Sequence, residues 1–211
     1  MPENLKLEKL DAKDIRFGDN YMPFGYTKYA DGSILLQALP EFINIAAELI
    51  NNSDDYIYDK IAGYMLREFN LVPDREKASD IIYGISDKNK LRLEKKQGST
   101  IKFDGACAYK IIEKYVYIDK DKPGVFFGAL IDDKIVSVAK YNVKNEIAAG
   151  THENYRGRGY AVSNVVALAE YLLDSGASVK YCTDSANISS QKTAESAGFE
   201  LMSREKLFWF K

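Results

Sequence analysis

The sequence predicts an α/β or α+β fold, a sheet with helices packed against it. Three observations lead there. Two apolar, β-branched runs flank an Asp132-Asp133 turn. Apolar residues recur at helical spacing from Tyr160 to Ser175. The second half of the chain then reads in the order β-β-β-α-β-α-β, which calls for helices laid on a sheet.

Taken in order, the first forty residues look irregular, because "FGDNYMPFGYTKYADGS" is rich in turn formers and aromatics. "LPEFINIAAELIN", residues 39–51, has helical spacing, with Phe42, Ile45, Ala46, Leu49 and Ile50 on one face. A second helix is expected over Asp55–Phe69, carrying Ile57, Ile61, Met65 and Leu66. "NLVPDREKASDIIYGISDKNK" reads as a loop with a short helix, and strands are expected only after about Lys90. "GVFFGALIDDKIVSVAKYNV" is a hairpin, and "EIAAGT", residues 146–151, a third strand. The long helix that follows is stopped by Gly176. "VKYCTD" is a strand, "NISSQKTAESAG" a short helix closed by Gly198, and "ELMSREKLFWF" a last strand or hairpin. The expected division is 1–95, helical or irregular, and 96–211, the sheet and its helices.

The 211 residues suffice for one sizeable domain or a domain with an extension. Hydrophobic residues make up 46% and charged residues 28%, an ordinary globular mix. A net charge of −2 leaves no global basic field, so nucleic-acid coating is not expected and any anion site must be local. Cys107 and Cys182 stand far apart and without partners at metal-ligand spacing, which favours a reduced, cytoplasmic setting over a disulfide framework and gives no metal site. The polar amino terminus does not read as a signal peptide, and no apolar run is long enough to span a bilayer.

"NYRGRGYAVSN", residues 154–164, carries the chemistry. Gly157 and Gly159 let the backbone turn sharply and approach a ligand. The first amides of the helix that follows have no partner inside it, and the helix dipole adds positive charge at the same point. Phosphate is the natural guest, with Arg156 or Arg158 adding a charged contact. A Walker loop needs a Lys-Ser or Lys-Thr that is absent here, and a Rossmann fingerprint needs a third glycine where this chain has Val162.

Arg156 to Ala161, R-G-R-G-Y-A, instead resembles the Q/R-x-x-G-x-G/A signature of the GNAT N-acetyltransferase superfamily. Downstream, Asn187 followed by a short helix ending in Gly198-Phe199 resembles that family's second motif. The resemblance covers roughly residues 100–211 and looks most like a bacterial branch with an added amino-terminal helical region. It implies a mixed, mostly antiparallel sheet flanked by helices, with a helical extension before it. It also implies acetyl-CoA as cofactor and direct transfer of an acetyl group to an amine of a small molecule or protein.

The resemblance further implies that the acyl-pantetheine arm lies between two splayed strands. Backbone groups of Ala149 and Thr151 would bond that arm. The loop Arg156, Gly157, Arg158, Gly159, Tyr160 and Ala161 would hold the pyrophosphate, and Asn187 would bond the pantetheine. Asn187 is equally suited to cap a helix. Glu146 stands where many family members place a general base, and an exposed strand-end carboxylate is its other reading. His152, the single histidine, reads as a surface residue, and Cys182 as a core one. The family's usual tyrosine, four residues before the Gly-Phe pair, is Ala194 here. Tyr155, Tyr160 and Tyr181 are substitutes among which the sequence does not choose. That departure keeps a second reading open, a non-catalytic acyl-CoA-binding or regulatory module. The many tyrosines before residue 100 read as packing residues. The apolar "LFWFK" end fits a last buried strand or a homodimer interface equally well.

Overall fold

The computed structural model describes residues 5–11, 16–17, 20–44, 54–74, 78–92, 99–103, 125–141 and 146–211. Cys107 and residues 45–51 of the first expected helix lie outside them. The chain divides into two compact units. One comprises Met1–Ile81 with Met202–Lys211, and the other Ile82–Leu201.

In the first unit the amino-terminal region is built of strands, which corrects the expected helical extension. These are β1 (Leu5–Lys9), β2 (Arg16–Phe17), β3 (Asn20–Tyr29) and β4 (Ile34–Ala38). The reason lies in "YADGSILL": Gly32 takes φ 86° and Asp31 Oδ1 accepts from the Ser33 amide at 2.8 Å. A tight turn follows, and Lys28 pairs with Ile34 and Phe24 with Ala38 in an antiparallel hairpin. Pro40–Phe42 forms a single 3-10 turn, and α1 (Asp54–Phe69) is the expected second helix. Ile61 and Met65, one turn apart, are buried, whereas Leu66 is half-exposed, 100° round the helix from Met65. β5 (Ala78–Ile85) replaces the loop expected there. The carboxy-terminal β11 (Glu200–Phe210) pairs antiparallel with β3, from Ser203↔Tyr29 to Phe210↔Tyr21. "LFWF" is therefore a core strand. Phe208 meets Phe24 edge-on at 5.3 Å, and both pack with Leu36, Phe42, Ile61 and Met65. The strand order in this unit is β1-β4-β3-β11.

The second unit follows the expected order. After β6 (Ser99–Phe103), the hairpin of β7 (Phe126–Ile131) and β8 (Lys134–Tyr141) turns through Asp132 and Asp133, both at positive φ. This is a primed turn, which matches the strand twist. β9 (Glu146–Thr151) lies antiparallel to β8, and β10 (Val179–Asp184) parallel to β9. The order is β5-β10-β9-β8-β7-β6. α2 (Tyr160–Asp174) lays Val165, Leu168 and Ala169 across β7, β8 and β9. It ends in a Schellman motif: the Ala177 amide bonds the Leu172 carbonyl at 3.0 Å, with Gly176 left-handed between. α3 (Ile188–Ala197) ends in the same way, with Phe199 N–H on Ala194 O at 3.1 Å and Gly198 at φ 99°. The Gly-Phe pair is thus a helix cap, and Phe199 swings back into the core.

Candidate functional site

β9 and β10 pair over only two positions, Lys180↔Glu146 and Tyr181↔Ile147. Beyond them β9 stays on β8 as far as Ser137↔Thr151 while β10 ends its pairing, so the two strands part in a V. The register decides what β9 presents there. His152 N–H bonds Val136 O at 2.9 Å. Bonding toward a neighbour alternates along an antiparallel strand, so the amides and carbonyls of Thr151 and Ala149 face away from β8, into the V. The Thr151 carbonyl accepts there from Arg156 Nε at 3.2 Å.

A cleft of about 830 Å³ fills the V and the mouth of α2. Among the expected cofactor residues, Ala149, Thr151, Arg156, Gly157, Gly159, Tyr160, Ala161 and Asn187 all line it. Gly157 (φ 74°) and Gly159 (φ 83°) are left-handed, which bends the loop back so that α2 starts at its rim. The first intrahelical bond of α2 runs from Ser163 N–H to Gly159 O. The amides of Tyr160, Ala161 and Val162 are therefore left for something outside the helix, and no acidic residue stands in that first turn. A Cβ on Gly157 would have no atom within 4 Å, so the loop holds open space that a ligand can take. Arg158 does not line the cleft. Its guanidinium lies 5.5 Å from the Tyr155 ring centre.

Asn187 caps α3. Its Oδ1 accepts from the Ser190 amide at 3.1 Å and from Ser189 Oγ at 3.0 Å. Both of its expected roles are compatible, because capping uses the oxygen and Nδ2 remains on a residue that lines the cleft. Glu146 pairs in register with Lys180 at the closed end of the V and is not among the lining residues. About 10 Å of strand separates it from Ala149. His152 Nδ1 accepts from the Asn154 amide at 3.2 Å and starts the 3-10 turn Glu153–Tyr155. Cys182 is half-buried rather than a core residue.

Three features add to the expected site; Tyr181 is one of the three substitute tyrosines, and the other two were not legible in the sequence. Lys192, on α3, adds a cation to the rim. Tyr181, 2% exposed, reaches the cleft with its hydroxyl 2.9 Å from Ser190 Oγ, and burial pushes its phenol pKa up while the Ser190 bond opposes. The third is a buried relay beneath β9. Asn164 Nδ2 donates to Ser137 Oγ at 3.1 Å, and Ser137 Oγ lies 2.8 Å from Thr151 Oγ1 and 3.1 Å from Gly150 O.

Comparison with known proteins gives a family and a fold. The model of the acetyltransferase (GNAT) family matches residues 93–199, just over half of the chain. No curated protein sequence matches significantly. Among solved structures, the fold is similar to a GCN5-related N-acetyltransferase-like protein from Streptococcus suis, at 18% identity and a TM-score of 0.52 over 83% of this chain and 78% of that one. It is also similar to an acetyltransferase of the GNAT family from Colwellia psychrerythraea, at 15% identity and a TM-score of 0.52 over 93% and 84%.

Proposed function

Because the chain belongs to the GNAT acetyltransferase family and is an N-acetyltransferase, we propose that it takes its acetyl group from acetyl-CoA and passes it directly to an amine of a small molecule or a protein. The observation that carries this reading is the V between β9 and β10, with the glycine loop at its mouth. The cleft fits the cofactor's parts in order. Amides from Arg156 to Ala161 take the pyrophosphate, with the Arg156 and Lys192 charges near it. Backbone groups of Ala149 and Thr151 and Nδ2 of Asn187 take the pantetheine arm.

When bound, the cofactor supplies an acyl group activated as a thioester. The chain's own part is to hold that arm against β9, to offer a β9 amide to the carbonyl oxygen as charge develops on it, and to remove a proton from the amine. Glu146 is the residue we propose for the proton, reaching the site through water since it does not line the cleft. The proposed location is the cytoplasm, from the sparse cysteines. Among the described residues no helix is long and apolar enough to cross a membrane.

Calorimetry with acetyl-CoA tests the cofactor, and thiol release over a panel of amines tests transfer. Saturable binding with amine-dependent thiol release is the expected result. No saturable binding overturns the reading, and binding without release from any amine overturns catalysis.

A further inference from the structure

We propose that β1 pairs with β1 of a second copy of this chain, antiparallel about a two-fold axis through Leu7. The inference stands apart from the acetyl-CoA reading. β1 ends the strand order of its unit, with β4 on one side and, among the described residues, no strand on the other. Lys6, Leu7, Glu8 and Lys9 are exposed. Leu7 is 38% exposed although Leu36, its register partner on β4, is 1% exposed. Leu5, on the same face as Leu7, packs against the core. The apolar face of this sheet therefore runs out to an open edge.

Backbone bonding decides which groups that edge offers. Leu10 N–H bonds Ala38 O at 2.8 Å, so Leu10 faces β4. The N–H and C=O of one residue point to the same side of a strand, and the side alternates along it. Lys6 and Glu8 therefore also bond toward β4, while Leu5, Leu7 and Lys9 turn their amides and carbonyls to the open edge. Centred on Leu7, two antiparallel copies set Leu7 against the partner's Leu7 and Leu5 against the partner's Lys9. All of these are hydrogen-bonded pairs, about six bonds in all.

Charge selects this register. Lys6 and Glu8 lie on the face opposite Leu7. Here Lys6 stands across from the partner's Glu8, in a non-hydrogen-bonded pair where Cα atoms come to about 4.5 Å. Sliding the pairing by two residues sets Lys6 against the partner's Lys6, or Glu8 against the partner's Glu8. Edge lysines commonly repel a second copy, but Lys-Leu-Glu read about a two-fold axis attracts one. Gln37 Nε2 donates to Glu8 Oε2 at 2.9 Å, and Oε1 is the oxygen offered to the partner's Lys6. On the apolar face Leu7 meets the partner's Leu7, and the Lys9 stem covers the partner's Leu5.

The test is sedimentation of the full chain from about 1 to 300 µM. Two short strands bury little area, so a monomer–dimer equilibrium with Kd on the order of 10–100 µM is expected. Lys6→Glu and Glu8→Lys should each weaken it about tenfold, since each sets like charges opposite one another twice per dimer. The double variant restores opposite charges and should return to within about threefold of the unmodified protein. Amide exchange of the unmodified protein gives a readout that needs no variant to fold. The Leu7 and Lys9 amides should exchange more slowly as concentration rises, while those of Lys6 and Glu8, already turned to β4, should not change. A chain that stays monomeric across this range overturns the proposal. So does a dimer that ignores both charge reversals, or one that the double variant fails to recover, because its contact then lies elsewhere.

Discussion

Asn164 of α2 donates to Ser137 of β8 at 3.1 Å, and through Ser137 it is tied to Thr151 at the open end of the cleft. Asn164 is fully buried and Ser137 is 2% exposed. The hydrogens can be assigned so that every group is satisfied. Asn164 and Thr151 donate to Ser137 Oγ, and Ser137 donates to Gly150 O. Thr100 Oγ1 approaches the Asn164 carbonyl oxygen at 3.5 Å from β6. The helix that opens at the glycine loop is thereby keyed to the strand end that faces it.

Asn164→Ala should strand the Ser137 hydroxyl and the Thr151 end of β9 without their anchor. The expected loss is about 1–3 kcal/mol of stability, read from urea unfolding. Coenzyme A affinity should fall with it, because Ala149 and Thr151 lose their fixed distance from the loop. Unchanged affinity alongside reduced stability would limit the relay to folding.

Two glycines separate the proposed ligand loop from a cap built for packing. Gly198 sits at φ 99°, and a Cβ there would collide with the Lys90 carbonyl oxygen. Gly198→Ala should therefore destabilise strongly, by about 2 kcal/mol or more, from left-handed strain and overlap together. Gly157 has a similar φ of 74° but open space around it. Gly157→Ala should cost only about 1 kcal/mol, the strain alone, while its methyl takes ligand volume and weakens coenzyme A binding more than tenfold. Thermal melts paired with calorimetry distinguish the two outcomes.

Why half of this was legible and half was not follows from the range of the forces involved. Gly176, Gly198 and the Asp132-Asp133 turn act locally, so α2, α3 and the β7–β8 hairpin end close to where the sequence says they should. The loop residues were legible for the same reason, since glycine is needed at positive φ. The amino-terminal strands were not. Pro23 and Gly25 sit inside β3 and read as breakers, yet the Pro23 carbonyl accepts from the Leu39 amide at 3.0 Å and Gly25 packs under Leu207 of β11. That support comes from a strand about 180 residues away, which no local pattern reports. The Asp31-Gly32 turn between apolar runs was the signal available. Tyr181 and Lys192 reach the cleft through the meeting of β10 and α3, and spacing alone does not show that.

Charge at the cleft should be visible through salt. Arg156 combines a fixed bond to the Thr151 carbonyl with a guanidinium at the loop, and Lys192 faces the same cleft from α3. Arg156→Ala should weaken coenzyme A binding by about tenfold, losing both the charge and the anchor, and Lys192→Ala by a few-fold. Each variant should also bind with a shallower dependence on ionic strength between about 0.05 and 0.5 M, because fewer cations remain to be screened. Arg158→Ala should change little, since that side chain rests near Tyr155 and not in the cleft. Isothermal titrations at several salt concentrations check all three.

The raised phenol of Tyr181 makes stability depend on pH at the alkaline end, and the sign follows from linkage. Burial is the larger cause and the Ser190 hydrogen bond the smaller, opposing one. A group whose folded-state pKa is raised holds its proton more tightly when folded. Its contribution is complete below the unfolded value of about 10 and is lost as pH rises through the folded value. Lys88 behaves in the same direction, raised first by its bond to Asp174 and then by Glu170, but it lies at the surface with its side chain 42% exposed, and its pair should move stability little. Tyr181→Phe should thus be less stable than the unmodified protein at pH 8, by about 1 kcal/mol for the lost Ser190 bond. The gap should close, and then reverse, as pH passes about 10 and the unmodified protein begins to lose the contribution that phenylalanine cannot lose. Urea midpoints measured from pH 8 to 11 for the two proteins test this, and a gap that stays constant across that range would show that Tyr181 titrates no differently folded than unfolded.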